Sequence, residues 1–273
     1  MPELESLIPA LKDIMIEAGN AILEVYHSGS PIEVKNKSDD SPVTKADHAA
    51  HIIIDKGLNA LNTLYPVLSE EGCIASFEER DTWERYWLVD PLDGTKEFIN
   101  KNDEFTVNIA LIDGAEAILG LVYVPVTGTL YYGAKNLGAW KEVKGQTKQI
   151  HVTPIMLGQD LTVVGSRRHG AEALAAMLKT IEPRFKSIKL VSMGSSLKIC
   201  VLAEGKADWY PRLALTSEWD TAAAHAVLNA AGGKIMDADL APLEYNQKES
   251  ILNPFFHAVG DRSFDWSSLI DKT

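Results

Sequence analysis

The sequence is poor in cysteine. Its 273 residues include only two cysteines, Cys73 and Cys200, and neither belongs to a C-x-x-C motif. Two cysteines are too few for a disulfide framework and are typical of proteins from a reducing compartment. Both side chains are therefore predicted to be buried as small apolar groups.

Positive charge is scarce as well. Lysine and arginine total 26 against 38 aspartates and glutamates, which gives a formal net charge of −12 at pH 7. Because a basic surface is what attracts phosphate backbones, this balance excludes broad binding of polymeric nucleic acid. An acidic protein can still handle a small phosphate ester, provided that metal ions invert the sign of the local charge.

Long apolar runs are also missing. The longest are shorter than the ~20 residues that a membrane-spanning helix needs. No basic region followed by an apolar run marks a signal peptide, which favours the cytoplasm as the compartment. Residues 3–27 instead place apolar side chains at helical spacing beside a mainly acidic face. This pattern predicts a helix packed on a core and disfavours binding to anionic lipid, although peripheral association with the inner membrane is left open.

The most informative stretch is residues 86–98. Its first four residues are aromatic and branched, which predicts a short buried strand. A D-P-L-D-G-T run follows at residues 90–95, where the proline prevents a regular ladder and the glycine permits a tight turn before a helix. Two carboxylates at such a corner are hard oxygen ligands that suit Mg²⁺, and the N–H groups of Gly94 and Thr95 could bind an anion. Ordinary turn and N-cap roles are the competing interpretation.

More acidic residues stand at comparable positions. Glu70 and Glu71 follow a predicted strand at residues 65–68, so two strand ends could bring Glu70 close to the aspartates of the central run. Asp220 opens an alanine-rich helix, where it could equally serve as the N-cap. Residues 73–85 are charged and are predicted to form a mobile loop.

A helix is predicted to begin after Thr44, which is a good N-cap, and to run to about residue 64. Its buried face would include Leu58, Leu61 and Leu64. Asp47 then lies in the first turn of this helix, where a carboxylate stabilises the helix dipole. From the local sequence alone, that structural role explains Asp47 as well as a catalytic one does.

The second half of the chain differs in pattern from the first. Residues 105–140 hold four predicted strands joined by turns, which indicates an antiparallel meander. From residue 161 onward strands alternate with helices, which indicates an α/β lobe. The polar residues 144–150 are the predicted boundary, so lobes of residues 1–146 and 147–273 are expected.

Two segments of the second half could hold an anion. The G-S-S run at residues 194–196 precedes a predicted helix, although a plain N-cap is an equally good interpretation. The G-S-R-R-H run at residues 165–169 ends a predicted strand and offers donors to a phosphate group. A solvated basic loop is the alternative there.

Taken together, these blocks resemble the inositol monophosphatase superfamily of Mg²⁺-dependent, lithium-sensitive phosphatases. The resemblance is carried by Glu70-Glu71, by the run at residues 90–95, and by Trp219-Asp220 ahead of a helix of small residues. The blocks follow the family's order and extend over nearly the whole chain. The resemblance implies an α+β fold, a layered α/β sandwich with an antiparallel-sheet first lobe and an α/β second lobe.

The resemblance also implies a set of metal ligands, with two or three Mg²⁺ ions in each active site. One Mg²⁺ would be held by Glu70, Asp90 and the carbonyl oxygen of Leu92. Another would be held by Asp90, Asp93 and Asp220. Two cations can clamp the attacking and leaving oxygens of an in-line displacement, which suits the high barrier of phosphate monoester hydrolysis.

Catalytic and substrate-binding roles are implied in the same way. Thr95, hydrogen-bonded to Asp47, would orient and deprotonate the attacking water, while Glu71 would hold a metal-bound water. A second phosphate of the substrate would need cationic donors, for which Arg167 is a further candidate. The implied substrate contacts are Glu70, Leu92, Asp93, Gly94, Thr95, Ser166, His169, Gly194, Ser195, Lys198, Arg212 and Asp220.

Within the superfamily, the sequence is most similar to the 3′(2′),5′-bisphosphate nucleotidases of sulfate assimilation. The similarity lies in residues 39–47, in Lys96-Glu97, in the Y-P-R run at residues 210–212, and in residues 249–254. Leu213 stands where the inositol enzymes typically place a substrate-binding glutamate, and an apolar side chain cannot accept hydrogen bonds from inositol hydroxyls. The implied reaction is removal of the 3′-phosphate of adenosine 3′,5′-bisphosphate, and the sulfonated nucleotide is a second expected substrate.

Two alternatives compete with this reading. A phosphatase for inositol phosphate, fructose bisphosphate or histidinol phosphate would use the same chemistry on another ester. A non-catalytic binder of nucleotides or of a partner protein would have lost at least one ligand carboxylate, and all of them are present. The sequence does not distinguish a monomer from a homodimer.

Overall fold

A computed structural model of the chain describes residues 2–29, 34–36, 42–165 and 171–270. The predicted substrate contacts at Ser166, Arg167 and His169 lie outside these residues. No helix among the described residues is both long enough and apolar enough to span a membrane.

Helices and strands alternate in the order that the sequence pattern predicts over most of the chain. The helices are α1 (Pro2–Tyr26), α2 (Lys45–Asn59), α3 (Phe77–Arg80), α4 (Thr95–Ile99), α5 (Ala171–Ile181), α6 (Leu197–Ala203) and α7 (Ala222–Ala231). The strands are β1 (Val34–Asn36), β2 (Pro42–Thr44), β3 (Val67–Ser69), β4 (Arg85–Asp93), β5 (Thr106–Asp113), β6 (Glu116–Val124), β7 (Thr129–Ala134), β8 (Gly138–Val143), β9 (Gln146–Ile150), β10 (Asp160–Gly165), β11 (Ser187–Ser192), β12 (Trp209–Arg212), β13 (Lys234–Asp237) and β14 (Phe256–Val259). Short 3₁₀ helices cover Glu182–Arg184, Glu218–Asp220 and Trp266–Ser268.

The larger sheet has seven strands in the order β3-β4-β5-β6-β7-β8-β9. β3 is parallel to β4, and every other neighbouring pair is antiparallel. The predicted meander is confirmed. It is one strand longer than expected, because the polar residues placed at the lobe boundary form the edge strand β9. This strand is exposed along most of its length, so its sequence carries no apolar signal.

The smaller sheet has five strands in the order β11-β10-β12-β14-β13. β10 is parallel to both of its neighbours, whereas β14 is antiparallel to β12 and to β13. The predicted alternation of strands and helices is confirmed as far as β12. β1 and β2 form a separate antiparallel pair.

The two sheets and the helices form stacked layers. Along β4, Trp87 and Val89 pack into a cluster with α1 and α2. The alternate residues Tyr86 and Leu88 pack on the other face, in a cluster that includes α6, α7 and residues of the smaller sheet, as the period of a strand requires. A third cluster joins α5 to the far face of the smaller sheet. The order of layers is therefore helices, seven-stranded sheet, helices, five-stranded sheet, helix.

Helix α7 lies very close to the larger sheet. A Cβ atom added to Gly120 on β6 would stand 2.0 Å from the carbonyl oxygen of Ala223, and one added to Gly133 on β7 would stand 2.9 Å from the Cα atom of Val227. The alanines at the start of this helix permit such close packing. It fixes the start of α7, and with it the segment that carries Asp220.

Three local predictions were wrong. Helix α2 ends at Asn59, because the chain then turns, and Leu64 adopts a left-handed φ of +53° with a side chain that is 93% exposed. Residues 73–85 are not simply a loop, since they include α3 and the buried Arg80. Cys73 is exposed, whereas Cys200 is buried as predicted.

Candidate active site

The site begins at the end of β4. Asp90 pairs with Asn108 of β5, Asp93 pairs with Thr106, and the register shifts between the two pairs. β4 therefore has one extra residue between Asp90 and Asp93, which forms a bulge. Residues three apart on a regular strand point to opposite faces, so this bulge allows Asp90 and Asp93 to approach the same space.

Asp93 is held by donors from two other elements. Its Oδ2 atom accepts hydrogen bonds from the backbone N–H of Ser196 at 2.6 Å, from the Ser196 hydroxyl at 2.8 Å, and from Asn108 Nδ2 at 3.4 Å. Gly94 then takes a left-handed φ of +94°, where a side chain would be strained. This turn starts α4 and places Thr95 beside the aspartates.

Glu70 reaches the same place from the neighbouring strand. β3 is parallel to β4, and the N–H of Glu70 donates to the carbonyl oxygen of Val89 at 3.1 Å. The two strands therefore end side by side, as predicted. Burial raises the pKa of Asp90, and the neighbouring carboxyl group of Glu70 adds to that shift. Burial likewise raises the pKa of Asp47, and the charge of Glu71, the next residue after Glu70, adds to it.

Asp220 comes from the second half of the chain. It ends the 3₁₀ helix Glu218–Asp220, where its Oδ2 atom accepts a hydrogen bond from the N–H of Ser217 at 2.9 Å. Its carbonyl oxygen lies 2.6 Å from the hydroxyl of Ser196. Ser196 at the start of α6 thus contacts both Asp93 at the end of β4 and Asp220 in the 3₁₀ helix.

These carboxyl groups repel one another in a site that is largely closed to water. Burial, followed by the charges of Glu70, Asp93 and Asp220, raises the pKa of Asp90 well above its ordinary value. Burial, followed by the charges of Asp93 and Glu70, also raises the pKa of Asp220 well above its ordinary value. The charge of Arg212 opposes this shift. Repelling carboxylates with little water around them are stabilised by a cation.

The donor chemistry of this cluster fits a hard divalent cation. The cluster offers oxygen atoms alone, which is the set that Mg²⁺ and Ca²⁺ prefer and that soft metals do not. Among the described residues, no group of three or more His, Cys, Asp or Glu side chains is already arranged to hold a metal ion. Part of the reason is that Asp93 and Asp220 each direct an oxygen to protein donors.

Asp47 and Thr95 form a hydrogen-bonded pair next to the cluster. The Thr95 hydroxyl lies 3.2 Å from Asp47 Oδ1 and 3.4 Å from the carbonyl oxygen of Leu92. The other oxygen of Asp47 accepts bonds from the N–H of Thr44 at 2.8 Å and from its hydroxyl at 2.6 Å, which completes a capping box on α2. Burial is the main cause of the raised pKa of Asp47. Asp47 therefore caps its helix and also contacts Thr95.

Two cavities open beside the carboxylates. A small one of about 150 Å³ is lined by Asp93, Asp220, Lys198 and Arg212, among others. A wider cleft of about 600 Å³ extends from Glu70 and Asp90 to an apolar rim that includes Ile74, Leu215 and Leu252. Both cavities also contact Gly94, Lys96 and Glu97. One side of the carboxylates is therefore cationic and the other is apolar.

The predicted contacts in the small cavity have protein partners of their own. Lys198 is buried and donates from Nζ to the carbonyl oxygen of Ser195 at 2.7 Å, and its burial lowers its pKa to about 8. Arg212 donates to the carbonyl oxygens of Ala214 and Leu215. The N–H of Gly194 donates to the carboxylate of Glu104 at 2.7 Å, so a protein anion occupies that donor.

The sequence reasoning missed several residues that hold the site in shape. Asn108 and Ser196 orient Asp93, and Glu104 holds Gly194. Asn108 carried a readable signal, because it is a polar residue in the middle of the apolar strand β5 and is fully buried. Leu215, and not Leu213, lines the cleft.

A layered fold in which carboxylates from two strand ends and from a 3₁₀ helix converge beside a Thr–Asp pair defines the class of the protein. The chain belongs to the inositol monophosphatase family, whose profile matches residues 3–262. More distant proteins share the fold: a suhB protein of Bartonella henselae superposes with a TM-score of 0.75 at 20% sequence identity, covering 94% of each chain.

Nearer relatives are named for one activity. The chain is 50% identical to the 3′(2′),5′-bisphosphate nucleotidase CysQ of Salmonella typhimurium, over 89% of this chain and 95% of that protein. It is 38% identical to the CysQ nucleotidase of Haemophilus influenzae, over 97% of both chains. The crystal structure of CysQ from Bacteroides thetaiotaomicron superposes with a TM-score of 0.83 at 38% identity, covering 95% of this chain and 98% of that one.

Proposed function

We propose that the chain is a 3′(2′),5′-bisphosphate nucleotidase that converts adenosine 3′,5′-bisphosphate to AMP and inorganic phosphate. The observation that carries the proposal is 50% identity, over 89% of the chain, to a nucleotidase of that name. The carboxylate cluster and the adjoining cationic cavity support it, because a substrate with two phosphates needs one site for reaction and another for recognition.

Mg²⁺ is the proposed cofactor, and its ligands would be the carboxylates of Glu70, Asp90, Asp93 and Asp220 with the carbonyl oxygen of Leu92. When bound, Mg²⁺ supplies a water of lowered pKa and neutralises charge on the phosphoryl oxygens. The raised pKa values of Asp90 and Asp220 support this assignment, since they show that the protein alone does not neutralise the cluster.

Asp47 and Thr95 would move the proton of the attacking water. The water would give its proton to Thr95 Oγ1, and the hydroxyl proton of Thr95 would pass to Asp47 Oδ1, 3.2 Å away. The water oxygen then forms a bond to phosphorus while the bond to the 3′-oxygen breaks, and that oxygen takes up a proton from solvent. The raised pKa of Asp47 makes it a better proton acceptor than an ordinary aspartate.

Recognition of the second phosphate is assigned to the small cavity. Lys198 and Arg212 line it beside Asp93 and Asp220, so an anionic group there would lie close to the reacting phosphate. Two cations beside an acidic cluster favour a substrate with two anionic groups over one with a single phosphate. The apolar rim of the wider cleft offers a surface to the nucleoside.

The test is phosphate release from a panel of esters under equal Mg²⁺ and ionic strength. Adenosine 3′,5′-bisphosphate should have the highest kcat/KM, with adenosine 3′-phosphate at least about tenfold lower, because one lost charge-assisted contact costs roughly 1.5–3 kcal/mol. The sulfonated nucleotide, inositol 1-phosphate and fructose 1,6-bisphosphate complete the panel. A higher kcat/KM for inositol 1-phosphate would contradict the proposal and favour the alternative phosphatase.

A further inference from the structure

A buried arginine lies behind the site. Arg80 at the end of α3 is 1% exposed. Its guanidinium donates to three acceptors: from Nε to the carbonyl oxygen of Ala75 at 3.1 Å, from Nη2 to that of Glu249 at 2.8 Å, and from Nη1 to Asn246 Oδ1. Asn246 returns a bond from Nδ2 to the carbonyl oxygen of Arg80 at 2.7 Å. Arg80 thus joins a segment of the first lobe to one of the second.

Asn246 continues this connection to a buried carboxylate. Its backbone N–H donates to Glu218 Oε2 at 2.9 Å, and the side chain of Glu218 is fully buried. Lys248 approaches the other oxygen at 3.4 Å. Asn246 holds a left-handed φ of +57°, which is uncommon outside glycine. The chain at Asn246 is therefore shaped to contact Arg80 and Glu218 at once.

Each end of the connection is close in sequence to carboxylates of the site. Arg80 donates to Ala75 in the segment that follows Glu70 and Glu71, whereas Glu218 begins the 3₁₀ helix that ends with Asp220. The backbone fixes the second end further, because the N–H of Glu218 donates to the carbonyl oxygen of Ile251 at 2.8 Å. Residues 246–253 therefore lie between the two segments that carry these acids.

Stability alone is a weak reason for this arrangement. Desolvating a guanidinium and a carboxylate is costly, and an apolar pair of similar volume is often as stable. The buried charges instead fix the geometry of the contacts, because the planar fork of arginine reaches several acceptors in fixed directions and lysine does not. Such fixed geometry is useful where two chain segments must keep a defined separation.

We propose that Arg80, Asn246 and Glu218 are positioning residues, here called the clamp. The clamp sets the separation of the Glu70–Glu71 loop from Asp220, and through it the affinity of the carboxylate cluster for a divalent cation. The inference rests on the proposed function, because it assumes that the cluster binds Mg²⁺. It gives residues 246–253 a role in the site, although none of the three clamp residues lines either cavity.

The experiment titrates the metal-free full chain with MgCl₂ and follows both the thermal midpoint and phosphate release. The variants are Arg80→Lys, which keeps the charge but loses the fork, and Asn246→Gly, which keeps the left-handed backbone but removes both side-chain contacts. In each, the Mg²⁺ concentration at half of the thermal shift should rise about 10–100-fold, as for other residues that orient metal ligands. Turnover at saturating Mg²⁺ should return to near the wild-type value.

Matched controls separate positioning from general destabilisation. Arg85→Lys changes the arginine at the opposite end of β4, which pairs with Asp113 at 2.9 Å. Asn136→Gly changes an exposed asparagine at a φ of +63° in the turn between β7 and β8. Both controls should keep the wild-type Mg²⁺ midpoint.

The outcomes divide cleanly. Clamp variants that melt earlier without metal yet keep the wild-type Mg²⁺ midpoint would overturn the clamp alone. If the thermal midpoint of the wild-type protein does not change with Mg²⁺, that result would overturn both the metal site and the clamp. If Arg80→Lys does not fold, Asn246→Gly decides the question.

Discussion

The carboxyl group of Asp47 makes a structural contact with the backbone and also contacts Thr95, its proposed catalytic partner. One of its oxygens completes the capping box of α2, and the other accepts the hydroxyl of Thr95. The cap fixes the orientation of the carboxylate, so the oxygen facing Thr95 needs no further support. A residue with a sufficient structural role is for this reason not excluded from a catalytic one.

The first prediction separates these two roles. Thr95→Ala should lower kcat by roughly 10²–10⁴-fold, the range for a positioned proton transfer, with little change in Mg²⁺ affinity. Asp47→Asn should give a similar loss. The double variant should lose little more than either single one, because the two residues act as a unit. The measurement is a double-mutant cycle on kcat. Fully additive losses of kcat would mean that Asp47 only caps its helix.

The second prediction concerns the effect of Asp90→Asn on thermal stability, which should be an increase without metal and a decrease with Mg²⁺. Its raised pKa means that the ionised form opposes folding at neutral pH, and that this cost disappears as pH falls through the folded pKa. Without metal, Asp90→Asn should therefore melt at a higher temperature than the wild type. Thermal denaturation at pH 7.5 in a chelating agent measures this.

With Mg²⁺ the order should reverse. At a hundred times its dissociation constant, a ligand stabilises the folded state by about 2.7 kcal/mol, and Asp90→Asn should lose most of that gain. Its activity should fall at least about a hundredfold. Near-normal turnover by Asp90→Asn would argue strongly against carboxylate-bound metal.

For individual residues, the sequence predicted the acidic side chains of the site better than the residues that hold them in place. Glu70 was predicted to lie close to Asp90 and Asp93, because strand ends are readable from local patterns, whereas the place of Asp220 beside them was implied by the family resemblance. The residues that orient them were harder to predict. Ser196 contacts Asp93 from α6, and no local pattern indicates a contact between residues so far apart in the chain.

Among the elements, α7 is constrained by direct backbone contact with a sheet. It lies between the sheets, and Gly120 and Gly133 let its backbone approach the larger one. Helices that pack on sheets through longer side chains can shift slightly when a residue changes. A helix in backbone contact has no such freedom, so its N-terminus stays in place.

The third prediction tests this contact. Gly120→Ala would place a Cβ atom 2.0 Å from a backbone oxygen, and overpacking of this kind costs about 1–3 kcal/mol or more. Gly165→Ala is the control, because the atom that its Cβ atom would meet first is the flexible end of Leu174 at 2.9 Å. Urea denaturation should show a clearly larger loss for Gly120→Ala. Equal losses would mean that the helix moves freely.

Elements with apolar patterns were predicted well, and those without them were not. The alanine-rich helix predicted to follow Asp220 is present as α7, over Ala222–Ala231. β9 was missed because it is an exposed edge strand, and α3 because it has a single buried residue, Arg80, which is charged. Burial of a charged side chain depends on partners elsewhere in the fold, which a local pattern does not contain. The proposed division into lobes at residue 146 stays a prediction.

For the molecule as a whole, buried histidines link stability to pH. Burial lowers the pKa of His225 on α7 to about 3 and that of His257 on β14 to about 4. The unfolded chain takes up these protons near pH 6.5, while the folded protein does not. Their contribution to stability is thus complete above pH 6.5 and is lost as pH falls toward the folded values.

The fourth prediction follows from that sign. Below pH 6.5, the advantage in unfolding free energy of the wild type over His257→Gln should shrink by up to ~1.4 kcal/mol per pH unit. Comparing variants removes the opposite contribution of Asp90 and Asp220, whose pKa values are raised. A constant difference for His257→Gln would mean that this histidine is not buried in its neutral form.

The two cavities that share the carboxylates have a consequence for how such a protein can diversify. All but one of the proposed acidic ligands lie on strand ends and turns of the first half, whereas Lys198, Arg212 and Leu215 on the cavity walls belong to the second half. Most of the proposed reacting centre and part of the proposed surface that selects the ester would thus be inherited on different stretches of one gene. We expect that substitutions at Lys198, Arg212 or Leu215 can change which phosphate ester is preferred while the first-half carboxylates stay intact.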